Sequence, residues 1–102
     1  MEITLSRSGG FAGFIDDVLS KIDTDKIPAL KKKEVKNLVK LSDFFNQENS
    51  INSIEVTADG FLYKIQIQDS GNTKSVEFYD DDKNSKIKNI LKLKDLLITM
   101  GQ

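Results

Sequence analysis

Residues 61–80, FLYKIQIQDSGNTKSVEFYD, constrain the fold more than any other part of the chain. Every second residue of the first half is apolar, which is typical of a strand with one buried face; these residues are Phe61, Tyr63, Ile65 and Ile67. Ser-Gly-Asn at 70–72 favours a tight turn, and the second half returns with Val76 and Phe78 on one face. We therefore predict a β-hairpin here, and with it an antiparallel sheet.

The start of the chain shows the same alternation. MEITLSR, residues 1–7, places Met1, Ile3 and Leu5 on one face of a strand. Because glycine adopts positive φ without steric cost, Ser8-Gly9-Gly10 is typical of a tight hairpin turn. FAGFIDDVLSKI, residues 11–22, is then expected to return as a second strand, with a bulge or bend between Gly13 and Asp17.

Two segments show helical spacing. PALKKKEVKNLVKLSDFF, residues 28–45, predicts a helix with Pro28 in its first turn and lysines opposite its apolar face. We expect that apolar face to contain Leu30, Val35, Leu38, Val39, Leu41, Phe44 and Phe45. A second helix is predicted from an N-cap at Ser85 to a stop at Gly101. Its apolar face contains Ile87, Ile90, Leu91, Leu97 and Met100.

These elements predict an α+β fold. The order is β-β-α-β-β-α, and SIEVT, residues 53–57, is a candidate for one further short strand. Two hairpins, each followed by a helix, indicate an antiparallel sheet of about four strands with two helices on one face. A length of 102 residues fits a single domain, residues 1–102. The expected core contains Ile3, Leu5, Leu38, Phe45, Ile65, Ile67, Val76, Phe78, Ile90 and Leu97.

The composition argues against catalysis. The chain contains no Cys and no His, which excludes thiol nucleophiles, imidazole bases and the usual zinc ligands. We therefore expect no catalytic residues, no cofactor and no metal. Lys and Arg number 15 against 16 Asp and Glu, so no basic excess suggests binding to nucleic acid or to an anionic membrane. The N-terminus resembles no signal peptide and no apolar run reaches the ~20 residues of a membrane span, so we expect a cytoplasmic protein.

Each cluster of like charges in the sequence has two interpretations, a binding site or a solvated surface. Asp80, Asp81 and Asp82 could bind a cation, but they lack the alternating ligands and the glycine of a calcium loop, so we favour simple placement ahead of a helix N-terminus. The pair at 16–17 has the same two interpretations. The lysines at 31–33 and 36 could bind phosphate, but intervening acidic residues and the lack of aromatic residues favour a solvated helix face.

Arg7 is the single arginine of the chain, and it stands immediately before Ser8-Gly9-Gly10-Phe11. Arginine differs from lysine in its planar group with several donors. Its presence here is explained equally well by chance, by an ion pair along the hairpin, or by a contact that requires that planar group. The glycines taken alone favour a turn, since phosphate-binding loops end in a helix and this segment leads into strand-like residues.

The same segment resembles a known family. ITLSRSGGFAG, residues 3–13, is similar to the opening of the emfourin family of small bacterial proteins. IPALKKKEVKNLV, residues 27–39, and the hairpin at 61–80 resemble the helix and hairpin of that family, and an amphipathic C-terminal helix follows in both. The resemblance implies a protein inhibitor of thermolysin-like metallopeptidases, including the protealysin-like enzymes that act inside bacteria.

The resemblance also suggests a binding surface. We expect Arg7, Ser8, Gly9, Gly10, Phe11 and Phe14 to contact the peptidase, with the glycines forming the turn and one phenylalanine supplying apolar contact. A rigid hairpin of this kind could lie in the cleft and block the substrate. The expected partner is a thermolysin-like metallopeptidase and the expected state is a monomer. The alternative is a non-catalytic interaction module with an unknown partner, in which SGGFAG is a purely structural hairpin.

Overall fold

The computed structural model describes residues 1–9, 17–51, 61–79 and 85–101. Within these residues the chain forms an α+β fold with a sheet and two helices, which confirms the predicted fold class. Single 3₁₀ turns lie at Thr24–Lys26, Phe44–Asn46 and Ser85–Ile87. The elements are β1 Glu2–Gly9, β2 Asp17–Asp23, α1 Ala29–Leu41, β3 Ser50–Ile51, β4 Phe61–Asp69, β5 Asn72–Tyr79 and α2 Lys88–Met100.

The sheet has five strands in the order β2-β1-β4-β5-β3. The four long strands pair with one another in antiparallel fashion, as predicted, whereas β3 runs parallel to β5. The parallel strand was not predicted, because Ser50 and Ile51 lie in the polar segment NQENSINS, residues 46–53, whose residues favour turns. It extends a contact in which the Glu77 backbone N–H donates to the Asn49 carbonyl oxygen at 2.7 Å. The candidate strand at 53–57 lies outside the described residues.

The predicted hairpin is confirmed as β4 and β5. Ile65 pairs with Val76 and Tyr63 with Phe78, so the apolar residues of both strands share one face. The turn contains Ser70 at φ 52° and Gly71 at φ 84°. Two central residues at positive φ match the right-handed twist of the flanking strands, which explains why a glycine and a small polar residue occupy these positions.

The connection between β1 and β2 differs from the predicted tight turn. Ser8 and Gly9 belong to β1, where they pair with Leu62 and Phe61 of β4. Pairing with β2 ends earlier, at Arg7 and Asp17, so residues 8–16 separate the two strands in the β1–β2 ladder. The prediction of a tight turn at these residues is therefore wrong, because Ser8 and Gly9 continue β1 by pairing with β4. The remaining residues of the connection, 10–16, lie outside the described residues.

A bulge is present in β2, next to the segment where one was expected. Leu5 pairs with Ser20 but Ser6 pairs with Val18, so Leu19 is one extra residue on the edge strand. Such a bulge bends a strand and interrupts the regular edge that another chain could join. The expected position, between Gly13 and Asp17, is described only at Asp17.

Helix α1 is shorter than predicted. It begins after Pro28, which occupies the N-cap position, and it ends at Leu41. Asp43 then adopts a left-handed conformation, φ 51°, and redirects the chain. Phe44 consequently turns into the core, whereas Phe45 is 42% exposed and its assignment to the core was wrong.

The inward face of α1 also differs from the prediction. Val35 and Val39 are buried, whereas Leu30 and Leu41 are 83% and 56% exposed. At about 100° per residue, Leu30 lies about 140° around the helix from Val35, and Leu41 about 160° from Val39. A single face cannot include all four residues, and packing against the sheet and α2 selects the valines.

Helix α2 is preceded by a 3₁₀ turn that starts at Ser85, so Ser85 is not its N-cap. Ile87 occupies that position without a capping side chain. The helix buries Ile90, Leu91, Leu93, Lys94 and Leu97 and ends at Gly101, as predicted. No helix among the described residues is long and apolar enough to cross a membrane.

The core lies between one face of the sheet and the two helices. Eight of the ten residues predicted for it are no more than 1% exposed, while Leu38 packs against its margin and Phe45 lies outside it. The buried apolar residues are Ile3, Leu5, Val35, Val39, Phe44, Tyr63, Ile65, Ile67, Val76, Phe78, Ile87, Ile90, Leu91, Leu93 and Leu97.

Candidate protein-binding site

Arg7 lies near the end of β1, the strand between β2 and β4. Its register partners are Asp17 on β2 and Tyr63 on β4, so the backbone around it is held on both sides. Its side chain is half-buried, and the guanidinium carbon lies 4.3 Å from the centre of the Phe61 ring. This is a cation–π contact, which a planar guanidinium makes more readily than an ammonium group.

The ion pair suggested for Arg7 is not found among the described residues. Asp17 is its neighbour in the ladder, yet no salt bridge or hydrogen bond joins the Arg7 guanidinium to any described side chain. The guanidinium is therefore oriented by an aromatic ring instead of neutralised by a described carboxylate. No described residue occupies its N–H donors, and a carboxylate is the group that a guanidinium binds in bidentate fashion.

Two exposed apolar residues lie near Arg7 in the sheet, Phe61 on the same face as Arg7 and Val18 on the opposite face. Phe61 is 38% exposed and pairs with Gly9, and Val18 is 64% exposed and pairs with Ser6. Neither residue was predicted as part of the site. Phe61 was assigned to the buried face because it continues the alternation of β4, but as the first residue of that strand it lies at the margin of the core.

An aromatic layer lies beside Arg7 on the same face of the sheet. The rings of Tyr63 and Phe78 are stacked, with centroids 5.9 Å apart and planes inclined by 21°. The Lys94 ammonium of α2 lies 5.0 Å from the Tyr63 ring centre and 3.0 Å from the Asp95 carboxylate. Because Tyr63 is also the register partner of Arg7, a buried layer anchored to α2 supports the strand that carries the arginine.

The predicted site residues are only partly described. Arg7, Ser8 and Gly9 are consecutive residues at the end of β1. Gly10, Phe11 and Phe14 lie outside the described residues, and their contact with a partner stays a prediction. The structure therefore brings three of the six residues into one strand and adds Phe61 as a neighbour on the face of Arg7.

The other charged candidates give no ligand site in the described part of the chain. No group of three or more Asp or Glu side chains among the described residues is arranged to hold a metal ion. Asp80, Asp81 and Asp82 lie outside those residues, and so does Asp16. On α1, Lys31 pairs with Glu34 at 3.4 Å and Lys32 with Asp25 at 3.0 Å. The hydrogen bond and charge of Lys32 lower the pKa of Asp25.

Comparison with known proteins gives one match. A family model described as Emfourin matches residues 5–93, from β1 through the first half of α2, and thus includes the Arg7 strand and the β4–β5 hairpin. No curated protein and no solved structure matches the chain significantly. The matched segment covers most of the 102 residues and agrees with the resemblance carried by SRSGGFAG. The chain therefore belongs to the emfourin family.

Proposed function

We propose that this protein inhibits a thermolysin-like zinc metallopeptidase by direct protein–protein contact that blocks the active-site cleft. The observation that carries the proposal is the family match over residues 5–93, because membership of the emfourin family suggests a metallopeptidase inhibitor. An inhibitor needs a complementary surface and no catalytic group, which agrees with a chain that contains no His and no Cys. We accordingly propose that the protein is not an enzyme.

The end of β1 is the best candidate for the inhibitory surface. This strand is the second of the five, next to the edge strand β2, and it pairs with both neighbours as far as Arg7. Backbone that is already held in an extended conformation loses little entropy when a cleft binds it. The stacked rings of Tyr63 and Phe78 on the adjacent strands add further support on the same face of the sheet.

The chemistry of this surface suits a peptidase cleft. Arg7 would pair with a carboxylate at the rim, while Phe61 and the phenylalanines at 11 and 14 would supply apolar contact for the specificity pocket. Without His or Cys, the catalytic zinc would be approached by a carboxylate, a backbone carbonyl or the N-terminal amine. The placement of residues 11 and 14 in this surface rests on sequence alone.

Inhibition kinetics test the proposal. Titration of the protein against a thermolysin-like peptidase is expected to give competitive inhibition at about 1:1 stoichiometry, with an increased apparent KM and an unchanged maximal rate. Arg7→Ala should weaken binding by about 1–3 kcal/mol, as expected for a central contact that becomes desolvated. An exposed lysine of α2 provides a control, since Lys92→Ala removes a positive charge elsewhere and should inhibit like the wild type.

The alternative is an interaction module for an unknown partner, in which this end of β1 is structural. Its support is that Ser8 and Gly9 are paired strand residues, so a structural role already accounts for them. Absence of inhibition towards several thermolysin-like peptidases would favour this alternative. Inhibition that persists at full strength in Arg7→Ala would keep the inhibitor function but place its surface elsewhere.

A further inference from the structure

Helix α1 presents two leucines directly away from the core. Leu30 is 83% exposed and Leu41 56% exposed. They are eleven residues apart, which places them about 16 Å from one another along the axis and within about 20° of one line on the helix surface. That line is opposite the buried stripe of Val35 and Val39. Isolated exposed leucines are common, but two on one outward line of a short helix form an elongated surface.

Three lysines that form no ion pair within the described residues border these leucines. Lys33, Lys36 and Lys40 form no ion pair with any described residue, whereas Lys31 and Lys32 are paired with Glu34 and Asp25. With Leu30, Glu34 and Asn37 they line one shallow groove along the helix. A local excess of positive charge therefore lies on a chain whose net charge is −1. We name Leu30, Lys33, Lys36, Lys40 and Leu41 the leucine–lysine face.

We propose that the leucine–lysine face binds an acidic amphipathic helix of another protein. The apolar side chains of that helix would pack on Leu30 and Leu41, and its Asp or Glu residues would pair with Lys33, Lys36 and Lys40. In helix-in-groove recognition the incoming helix contributes apolar anchors at i, i+3, i+4 and i+7, a row long enough to reach from Leu30 towards Leu41. The charge selects an acidic partner, since opposite potentials favour encounter and like charges oppose it.

Two other occupants fit this face less well, one because of its charge and one because of its narrow apolar surface. A second copy of the chain, docked α1 against α1, would bring the unpaired lysines of both copies together and leave them without counter-charges. A membrane surface requires a broad apolar face on the helix. Here the outward surface carries two leucines among the thirteen residues of α1, separated by Glu34 and Asn37.

A peptide titration followed by NMR tests the proposal. The probe is a synthetic helix of about 18 residues, or five turns, with leucines three and four residues apart and glutamates elsewhere. We expect saturable shift changes in the backbone amides of α1, and weaker binding as salt is raised. Leu30→Gln combined with Leu41→Gln should weaken binding at least about tenfold, because the apolar anchors are removed.

Matched charge variants distinguish binding of the peptide to α1 from a general attraction between the acidic peptide and any exposed lysine. Lys33→Gln with Lys40→Gln should weaken binding of the peptide, whereas Lys88→Gln with Lys92→Gln removes the same charge from α2 and should not. All of these side chains are exposed, so circular dichroism should show an unchanged fold for each variant. Because no peptidase is present, the result does not depend on the proposed inhibition.

Several outcomes would overturn the proposal. It fails if the shift changes spread over the sheet, if the leucine variant binds as well as the wild type, or if a peptide of scrambled sequence binds equally. It also fails if the protein dimerises on its own and the leucine variant abolishes that dimer, since the occupant is then a second copy. Binding to anionic vesicles without binding to the peptide would point to a membrane instead.

Discussion

At the scale of single residues, Arg7 shows how one side chain obtains its orientation. The guanidinium lies over Phe61 at 4.3 Å, although 53 residues separate the two in the sequence. A lysine at this position would keep the charge but would lose the planar stacking and the paired N–H donors. The structure therefore gives a physical reason for an arginine in a chain that otherwise uses lysine.

Gly101 is the residue at which a small change should affect stability most directly. A Cβ at this position would lie 2.8 Å from the Leu19 carbonyl oxygen and 2.9 Å from the Ser20 Cβ, at the bulge of β2. Gly101→Ala is expected to lower the free energy of unfolding by roughly 1–3 kcal/mol, as overpacking does. The entropy that alanine removes from the unfolded chain, about 0.4–1 kcal/mol, offsets only part of this.

Urea denaturation measures the effect. Lys92→Ala, an exposed change on the same helix, serves as the control and should shift the free energy of unfolding by no more than about 0.5 kcal/mol. A Gly101→Ala variant as stable as the wild type would mean that the end of α2 does not approach β2 as closely as the structure shows.

At the scale of elements, the two helices differ in how their leucines are used. Leu93 of α2 is fully buried, Leu38 of α1 packs at the margin of the core, and Leu41 of α1 is exposed. Whether a leucine on a helix is buried or exposed therefore depends on whether its position around the helix axis faces the sheet. This division can be tested because the same substitution is available in each environment.

We expect Leu→Ala to lower the free energy of unfolding most at Leu93, less at Leu38 and least at Leu41. Leu93→Ala should lower the free energy of unfolding by about 2–5 kcal/mol, because it removes buried methyl groups and leaves a cavity. Leu41→Ala should change it by no more than about 0.5 kcal/mol, and Leu38→Ala should fall between the two. Equal losses at 41 and 93 in denaturant titrations would show that α1 is rotated from its described orientation.

At the scale of the whole molecule, we propose that the chain folds as one domain. The radius of gyration is 13.2 Å, and a compact domain of this length has a value of about 13 Å. The central strands β1 and β4 contribute Ile3, Leu5, Ile65 and Ile67 to the same core that both helices cover, so the sheet and helices should unfold together.

Two spectroscopic signals test this cooperativity. Far-ultraviolet circular dichroism follows mainly the helices, and the near-ultraviolet signal reports on the tyrosines, of which Tyr63 is stacked in the core. Thermal unfolding curves from the two signals should coincide. Helical signal that is lost at a clearly lower temperature than the tyrosine signal would divide the molecule into separate folding units.

The sequence by itself determined the elements whose period repeats over several residues. Alternation defined β4, β5 and the first part of β1, and the turn residues at 70–72 defined the hairpin. The same periods identified eight of the ten predicted core residues, and SRSGGFAG carried the resemblance to the emfourin family. These features are local, because the identity of a residue and its near neighbours decides which face of a strand is apolar.

Only the tertiary structure decided the features that depend on which segments become neighbours. Ser8 and Gly9 extend β1 because they pair with β4. Residues 50–51 form a strand because they pair with β5. Likewise, α1 contained more apolar residues than one face can hold, and contact with the sheet and α2 buried the valines and left Leu30 and Leu41 outside. The contact of Arg7 with Phe61 has the same origin: the pairing of β1 with β4 joins residues that are distant in sequence, and no local period encodes that pairing.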